Sequence, residues 1–378
     1  MTHPTCNEHT LVQSALVVEY RLRCVAGESA SAKAEGIALE QTVELAGDCV
    51  SDAIREEWVG EVLSLSELDE HLWRCRIAYN PALAGEELSQ LLNTLFGNIS
   101  LKSGIFIENI EWPTAMLTAF GGPGYGIEGL RRHLGVPEGL PLTCTALKPV
   151  GLSPSGLAEL AFAFACGGVD IIKDDHGIAN QPGAPFRERL AACQAAIERA
   201  NQQTGKRAVY FPNATAPARL LGERLAAARD AGCFGVLLSP WLCGIDSIRW
   251  ARDEFGLAVM AHPALTGSYF QADHGLDPAL VLGDLFRIAG ADASIYPNAG
   301  GRFGFSVETC EAINHRLRRP LGGLRAAAPT PGGGMNVRDA PAWIERYGAD
   351  TMVLIGGSLY AQGDVTAASK RLLTALGR

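Results

Sequence analysis

The chain has 378 residues, a formal net charge of −9 and charged side chains at 19% of its positions. At roughly 150 residues per domain, this length predicts two or three domains, or one large barrel with a smaller partner. The acidic balance and the scattered lysines and arginines argue against nucleic acid as a partner. The chain lacks both a run of roughly 18 apolar residues and a signal-peptide pattern, so we expect no membrane partner and a cytoplasmic location. The 10 cysteines include no CxxC pair, which argues against a disulfide framework and a zinc site.

The first part of the chain mixes strand-like runs with one amphipathic stretch. Between residues 85 and 96, Leu88, Leu91 and Leu95 recur at helical spacing. We therefore expect a small, ferredoxin-like α+β domain over residues 1–125. Its strand-like runs are 11–24, 74–78 and 104–111.

From about residue 141, short apolar runs alternate with amphipathic stretches, which is typical of parallel strands joined by crossover helices. Eight such runs predict a (β/α)₈ TIM barrel over residues 126–378, and the expected fold class is therefore α/β. A doubly wound open sheet is the alternative, but no GxGxxG follows the first run to support it. The runs are 142–147, 169–173, 207–211, 234–238, 257–261, 293–296, 326–330 and 351–355.

Lys173 and Asp175 end the second run, at the edge where barrel enzymes gather their active sites. Because side chains alternate along a strand, both point to one side. Burial favours a neutral lysine, which can act as a base or take up CO₂, and a carbamate beside Asp175 would offer oxygen ligands to Mg²⁺. The alternative is an ordinary lysine–aspartate ion pair.

Glycines cluster after the seventh and eighth runs, where barrels often bind phosphate through backbone N–H groups. Tight turns are the alternative explanation of such clusters. Arg302, in the loop after the sixth run, is a candidate for a second anion contact or a solvated side chain. The predicted phosphate site consists of Gly332, Gly333, Gly334, Gly356 and Gly357.

Two further candidate catalytic residues follow the first and fifth runs. Lys148 stands at the predicted barrel mouth, where a lysine can donate a proton, form a Schiff base or contact an anion. Most exposed lysines do none of these. His262 ends a strongly apolar run, and the alternative for such a histidine is a hydrogen-bonded core residue.

Taken together, these stretches resemble the large chain of ribulose-bisphosphate carboxylase (RuBisCO) and its RuBisCO-like, or form IV, relatives. Residues 145–153, TALKPVGLS, are similar to the family's first-strand motif, and residues 167–175, GGVDIIKDD, to its carbamylation motif. The sequence NAT at 213–215 adds to the resemblance, which is densest between residues 122 and 189.

The resemblance implies a role for several residues. Lys148 would be a proton-transfer lysine, Lys173 the carbamate-forming lysine and Asp175 a Mg²⁺ ligand, while the glycines would cradle substrate phosphate. It also implies a homodimer, in which Glu28 and Asn98 of one subunit complete the substrate site of the other.

Departures from the family's pattern change the expected chemistry. His176 stands where the family has a glutamate, which makes the predicted metal set Lys173, Asp175 and His176; an imidazole suits Mg²⁺ poorly and transition metals better. The loop 297–303 lacks the lysine that stabilises the carboxylation transition state, and losing such a group costs several kcal/mol. Lys33 and Ala34 stand where a Thr-Trp pair helps to bind one phosphate. We therefore expect no carboxylation, and one phosphate on the substrate.

The sequence thus predicts a RuBisCO-like enzyme that is not a CO₂-fixing carboxylase. It would act through an enolate or enediolate on a phosphorylated sugar or sugar acid, by enolisation or isomerisation. The resemblance implies methylthio-pentulose phosphates as substrates. One alternative is a decarboxylase, transcarboxylase or hydrolase of a 3-oxo sugar-acid phosphate. The second alternative is a non-catalytic barrel that binds a phosphorylated metabolite.

Overall fold

A computed structural model describes residues 14–378. The chain folds into two compact units. The first unit comprises the chain up to Gly121 together with Thr266–Val281 and Leu321–Leu324. The second comprises Gly122–Leu265, Leu282–Pro320 and Arg325–Arg378. The domain limits 1–125 and 126–378 stay a prediction, and no sequence pattern indicated that two later segments return to the first unit.

Strands and helices make up most of both units. The strands are β1 Leu16–Arg23, β2 Glu61–Asp69, β3 Leu72–Tyr79, β4 Ile105–Glu111, β5 Leu142–Leu147, β6 Ile171–Asp174, β7 Val209–Phe211, β8 Gly235–Leu238, β9 Ala258–Ala261, β10 Phe270–Gln271, β11 His274–Leu276, β12 Ala293–Pro297, β13 Ala328–Gly332 and β14 Met352–Leu354. The helices are α1 Ala30–Glu40, α2 Asp52–Trp58, α3 Leu88–Phe96, α4 Thr114–Phe120, α5 Gly126–Leu134, α6 Pro154–Cys166, α7 Phe186–Thr204, α8 Ala218–Asp230, α9 Pro240–Cys243, α10 Asp246–Phe255, α11 Phe286–Ala289, α12 Val307–Arg318, α13 Ala340–Tyr347, α14 Gly357–Tyr360 and α15 Val365–Ala375.

The first unit is built on one mixed sheet with the order β10-β11-β4-β1-β3-β2. The central strand β1 pairs antiparallel with both β3 and β4. Helix α3 buries Leu88, Leu91 and Leu95, as its helical spacing predicts. The segment 270–276 adds an edge to this sheet, since β11 pairs parallel with β4. This unit is the small α+β domain that the sequence predicts.

The second unit is a barrel of eight parallel strands. Its strands form the sheets β14-β5-β6-β7 and β13-β12-β9-β8. Backbone hydrogen bonds from Leu237 N to Pro212 O (2.9 Å) and from Ala214 N to Leu237 O (3.0 Å) join β7 to β8. At the other junction between the two sheets, Gly332 at the end of β13 packs against Leu354 of β14. Each of the eight predicted runs overlaps one strand, so the predicted TIM barrel is confirmed.

Apolar side chains fill the barrel because parallel strands are covered on both faces. Fully buried residues from several strands meet in this core, including Cys144, Ile171, Leu237 and Met260. The resulting rigid frame presents the carboxyl ends of all eight strands at one mouth. No helix within residues 14–378 is long and apolar enough to cross a membrane.

Candidate active site

The carboxyl ends of β5, β6 and β9 bring together five residues that the sequence singled out. Lys148 Nζ lies 3.0 Å from Asp175 Oδ2. His176 Nδ1 lies 3.5 Å from Asp175 Oδ1, and the His176 ring stacks on His262 at 4.2 Å between centroids and 15° between planes. Lys173 completes the group, since the charges of Lys148 and Asp175 both act on its pKa.

A buried network fixes the end of β6, on which the site depends. Asp174 is fully buried and accepts hydrogen bonds from Arg189 Nε (3.0 Å), Tyr210 Oη (2.7 Å) and the Asn213 backbone N–H (2.9 Å). The Asn213 side chain also donates to the carbonyl oxygens of His176 and Ile178. Because Asp174 is held on the outer side, its neighbours in sequence point to the barrel mouth, as the alternation predicts.

Lys173 is 2% exposed, and its Nζ donates to the Asp174 carbonyl oxygen at 3.1 Å. Burial lowers the pKa of this lysine, against the opposing effect of the nearby acidic groups. Burial therefore shifts the balance towards the neutral amine, which is the form that acts as a base or reacts with CO₂. The ion pair at this strand end joins Asp175 to Lys148, whereas the alternative interpretation of the sequence paired Asp175 with Lys173.

Asp175 is the charged centre of the group. Partial burial alone would raise the pKa of its carboxyl, but hydrogen bonds from His176 and Lys148 and the charge of Lys173 hold that pKa well below its usual range. The carboxylate is therefore ionised at neutral pH and fixes both Lys148 and His176 in position.

His262 is held in its neutral form. Its Nδ1 accepts a hydrogen bond from the Ala264 backbone N–H at 3.1 Å, so the proton of the neutral ring is on Nε2. Burial lowers the pKa of His262 well below its ordinary value, and the charges of Lys173 and His176 add to the effect. His262 is thus hydrogen-bonded, as the alternative interpretation predicts. Its Nε2–H is the ring's remaining donor at the barrel mouth.

Tyr360 is a site residue that sequence reasoning missed. Its hydroxyl donates to the Ala146 carbonyl oxygen at 3.0 Å and accepts the backbone N–H of Lys148 at 2.9 Å. It therefore fixes the chain at the end of β5, from which Lys148 reaches into the mouth. The available signal was its position in α14, directly after the glycines that follow the eighth strand.

The two glycine clusters occupy different surroundings. Gly333 and Gly334 have φ values of 77° and 138°, which favour glycine, and a Cβ on Gly334 would lie only 2.4 Å from the Gly301 Cα. Turn geometry and close packing against the loop after β12 therefore account for these two. Gly356 lies beside the catalytic candidates, since a Cβ there would be 3.8 Å from Lys148 Cε.

Arg302 lies in the loop after β12, and its backbone contacts the glycine cluster that follows β13. Its N–H donates to the Gly333 carbonyl oxygen at 3.1 Å. The side chain is exposed and extends over the Phe303 ring, with 5.5 Å between its Cζ and the ring centroid. Gly332 and Gly357 end β13 and begin α14. A phosphate contact by any of these residues stays a prediction.

Glu28 and Asn98 lie in the first unit and are both exposed. Glu28 accepts the Val25 backbone N–H at 3.0 Å and pairs with Lys33 Nζ at 3.2 Å. Asn98 Nδ2 donates to Glu40 Oε1 at 3.0 Å. Their predicted role toward a second subunit stays a prediction.

The predicted metal set does not form a Mg²⁺ site with its side chains unmodified. Within residues 14–378, no group of three or more histidine, cysteine, aspartate or glutamate side chains is placed to hold a metal ion. Mg²⁺ takes oxygen ligands in octahedral geometry, but Lys173, Asp175 and His176 supply one carboxylate, and the imidazole stands where a second would be needed. The metal set Lys173, Asp175 and His176, which the sequence predicts with a carbamate on Lys173, stays a prediction.

Comparison with known proteins decides the family. The catalytic domain of the ribulose bisphosphate carboxylase large chain matches residues 126–372. The chain belongs to this family. Its RuBisCO-like character is shown by the ribulose bisphosphate carboxylase-like protein 1 of Rhodopseudomonas palustris, which is 40% identical over 351 residues covering 92% of this chain and 94% of the relative. The 5-methylthioribulose-1-phosphate isomerase of Rhodospirillum rubrum is 41% identical over 347 residues covering 91% of each chain.

Two further comparisons agree with this assignment. The 2,3-diketo-5-methylthiopentyl-1-phosphate enolase of Geobacillus kaustophilus is 32% identical over 354 residues, covering 88% of this chain and 84% of the relative. The crystal structure of a RuBisCO-like protein from Rhodopseudomonas palustris superimposes with a TM-score of 0.87 at 37% identity, covering 96% of this chain and 98% of the other. The expected family, fold class and enzymatic nature are therefore confirmed, and the non-catalytic alternative is not supported. RuBisCO-like enzymes generally use Mg²⁺ and a carbamylated lysine.

Proposed function

We propose that this RuBisCO-like enzyme enolises or isomerises a phosphorylated methylthio-pentulose, with 5-methylthioribulose 1-phosphate as the first candidate substrate. The observation that carries this proposal is the Lys148–Asp175 ion pair, which stands beside a buried lysine and a neutral histidine at one barrel mouth. The names of the two relatives supply the substrate class.

The reaction requires a base for the carbon next to the carbonyl and donors for the oxygen that becomes negative. Lys148 is the better exposed of the two lysines, at 36% of its side chain, and is the proposed proton-transfer residue. It would accept the substrate proton as the neutral amine, after its ammonium proton has passed to solvent. His262 Nε2–H is the proposed donor to the enediolate oxygen, because a neutral donor in a half-buried site stabilises developing charge effectively. A carbamate on Lys173 is the alternative base.

Carbamylation of Lys173 is supported by the burial that favours its neutral amine. The modification would add a second oxyanion next to Asp175, and with it the oxygen ligands that Mg²⁺ prefers. We therefore propose that Mg²⁺ binding depends on CO₂, which reconciles the unmodified donor set with the cofactors of the family.

The substrate's single phosphate is proposed to lie near the ends of β13 and β14. Gly356 presents backbone beside Lys148, and Gly357 begins α14. Gly332 ends β13, and Gly333 and Gly334 follow it in the loop. Backbone N–H groups of glycines can approach an anion closely. Arg302, exposed in the adjoining loop, is the proposed second phosphate contact.

The proposal includes a homodimer with shared sites. Glu28 and Asn98 both present exposed polar side chains, as a contact with a second subunit requires. A mixture of Asn98→Ala and Lys148→Ala subunits would recover activity if the sites are shared, because one of the two sites in the mixed dimer would then be intact. A cytoplasmic location stays a prediction.

The experiment that tests the function is turnover of 5-methylthioribulose 1-phosphate followed by ³¹P NMR, with trapping of released CO₂. The proposal predicts an isomeric phosphorylated product and no CO₂. Release of CO₂ from a 3-oxo sugar-acid phosphate, with no reaction of the pentulose phosphate, would instead support the decarboxylase alternative.

A further inference from the structure

A cavity lies at the amino-terminal ends of the barrel strands, at the opposite end of the barrel from Lys148. Its volume is about 920 Å³, and its walls include Ala208, Phe234 and Leu257, which stand immediately before or at the starts of β7, β8 and β9. The candidate active site uses the carboxyl ends of the strands, so this cavity is a separate feature of the barrel. Its volume falls within the range of small-molecule sites.

One wall of the cavity is aromatic. The His133 ring stacks on Phe234 with 3.6 Å between centroids and 9° between planes, and Tyr125 meets Phe234 edge-on at 4.7 Å. His133 is exposed, so the ring face turned away from Phe234 is accessible. Burial and the charge of Arg207 lower the pKa of His133. The neutral ring therefore offers a flat surface for a planar ligand.

The rest of the wall is rich in cations. Arg132, Lys206 and Arg207 all line the cavity and are exposed, and within the described part of the chain none of them forms an ion pair. The carboxylate of Glu198, also on the wall, accepts a hydrogen bond from Gln194 at 3.0 Å. Three cations without acidic partners leave an unbalanced positive charge beside the aromatic wall, in a protein whose net charge is −9.

We propose that this cavity binds a nucleoside phosphate, with the base stacked on His133 and the phosphate held by Arg207 and Lys206. Phosphate alone would not need the ring, and an apolar aromatic ligand would not need the cations. Arginine binds phosphate oxygens in a bidentate manner, and aromatic side chains stack on any nucleobase.

The test is calorimetric titration of the full-length protein with AMP, adenosine and inorganic phosphate. AMP is expected to bind more tightly than either part of it. Arg207→Glu is expected to abolish AMP binding, and His133→Ala to weaken it about tenfold, whereas His133→Phe restores a stacking ring and retains binding. Arg371→Glu, an exposed charge reversal in α15, is the matched control and leaves AMP binding unchanged.

Three results would overturn the proposal. These are no AMP binding at millimolar concentration, phosphate binding as tight as AMP binding, and AMP affinity unaffected by Arg207→Glu. Thermal unfolding of each variant shows whether it is folded, and Arg207→Gln provides a milder change if the charge reversal destabilises the protein. Turnover of sugar phosphate is expected to persist in Arg207→Glu, so failure of this proposal is distinct from failure of the proposed function.

Discussion

The ammonium group of Lys148 is held 3.0 Å from Asp175 Oδ2, across the gap between the ends of two neighbouring barrel strands. Both residues reach the same mouth because β5 and β6 run parallel in a register that places Ala146 beside Lys173 and Leu147 beside Asp174. This ion pair organises the candidate site, since the same carboxylate also holds His176.

Removing the charge of Asp175 tests that organisation. Asp175→Asn is expected to lower kcat by about 10²–10³-fold, because Lys148 and His176 lose the anion that positions them. Steady-state kinetics with 5-methylthioribulose 1-phosphate measure the effect. Asp253→Asn, which removes a surface ion pair with Arg252 on α10, is the matched control. Equal activity in the two variants would show that Asp175 has no catalytic importance.

Tyr360 is expected to act as a positioning residue. Tyr360→Phe deletes the hydroxyl that joins Ala146 O to Lys148 N, at a cost of about 1 kcal/mol in unfolding free energy. Activity is expected to fall about tenfold through kcat with little change in KM, because Lys148 is misplaced and substrate contacts remain. Tyr79→Phe removes a hydroxyl contact with Tyr20 in the first unit and serves as the control. A loss of stability in Tyr360→Phe without a fall in kcat would show a purely structural role.

Replacing His176 by glutamate introduces the residue that the family resemblance implies at this position. His176→Glu is expected to tighten Mg²⁺ binding at least about tenfold when bicarbonate is present, because a second carboxylate suits a hard cation. Calorimetry with and without bicarbonate measures this binding. His176→Gln, which removes the imidazole without adding charge, is the control. Tight Mg²⁺ binding by the wild-type protein without bicarbonate would contradict the proposed dependence on a carbamate.

The neutral state of His262 predicts a pH dependence of stability. Because the pKa of His262 is lower in the folded than in the unfolded protein, the unfolded chain takes up a proton first as the pH falls. Its contribution to stability is thus fully present above the unfolded pKa of about 6.5 and is lost progressively below it. Urea unfolding at pH 5 to 8 should show a smaller loss of stability on acidification in His262→Gln than in the wild type. Parallel curves for the two proteins would refute the neutral assignment.

Much of this arrangement could be predicted because it depends on local patterns. The eight apolar runs predicted the barrel, and the two-residue alternation placed Lys173 and Asp175 on one side of β6. The partner of Asp175 could not be predicted, since it depends on how β5 and β6 pair. Tyr360 lies 212 residues from Lys148, and nothing in the local sequence indicates a contact at that separation.

In the first unit, too, a contact between distant parts of the chain could not be predicted from local sequence patterns. The segment His274–Leu276 is only three residues long, yet it pairs with β4 far earlier in the chain. A strand so short has no periodicity to detect, and it forms because an existing sheet edge offers unpaired backbone groups. The later segment could therefore be assigned to the first unit only from the folded structure.

Deuterium exchange into the substrate is the most direct test of the central claim that Lys148 moves a proton at a carbon next to a carbonyl. The wild-type enzyme in D₂O is expected to incorporate deuterium at that carbon of 5-methylthioribulose 1-phosphate, as seen by ¹H NMR, and Lys148→Ala is expected to abolish the exchange. Lys370→Ala, an exposed lysine of α15, should exchange at the wild-type rate. Undiminished exchange in Lys148→Ala, or substrate turnover with no exchange in the wild-type enzyme, would contradict the account.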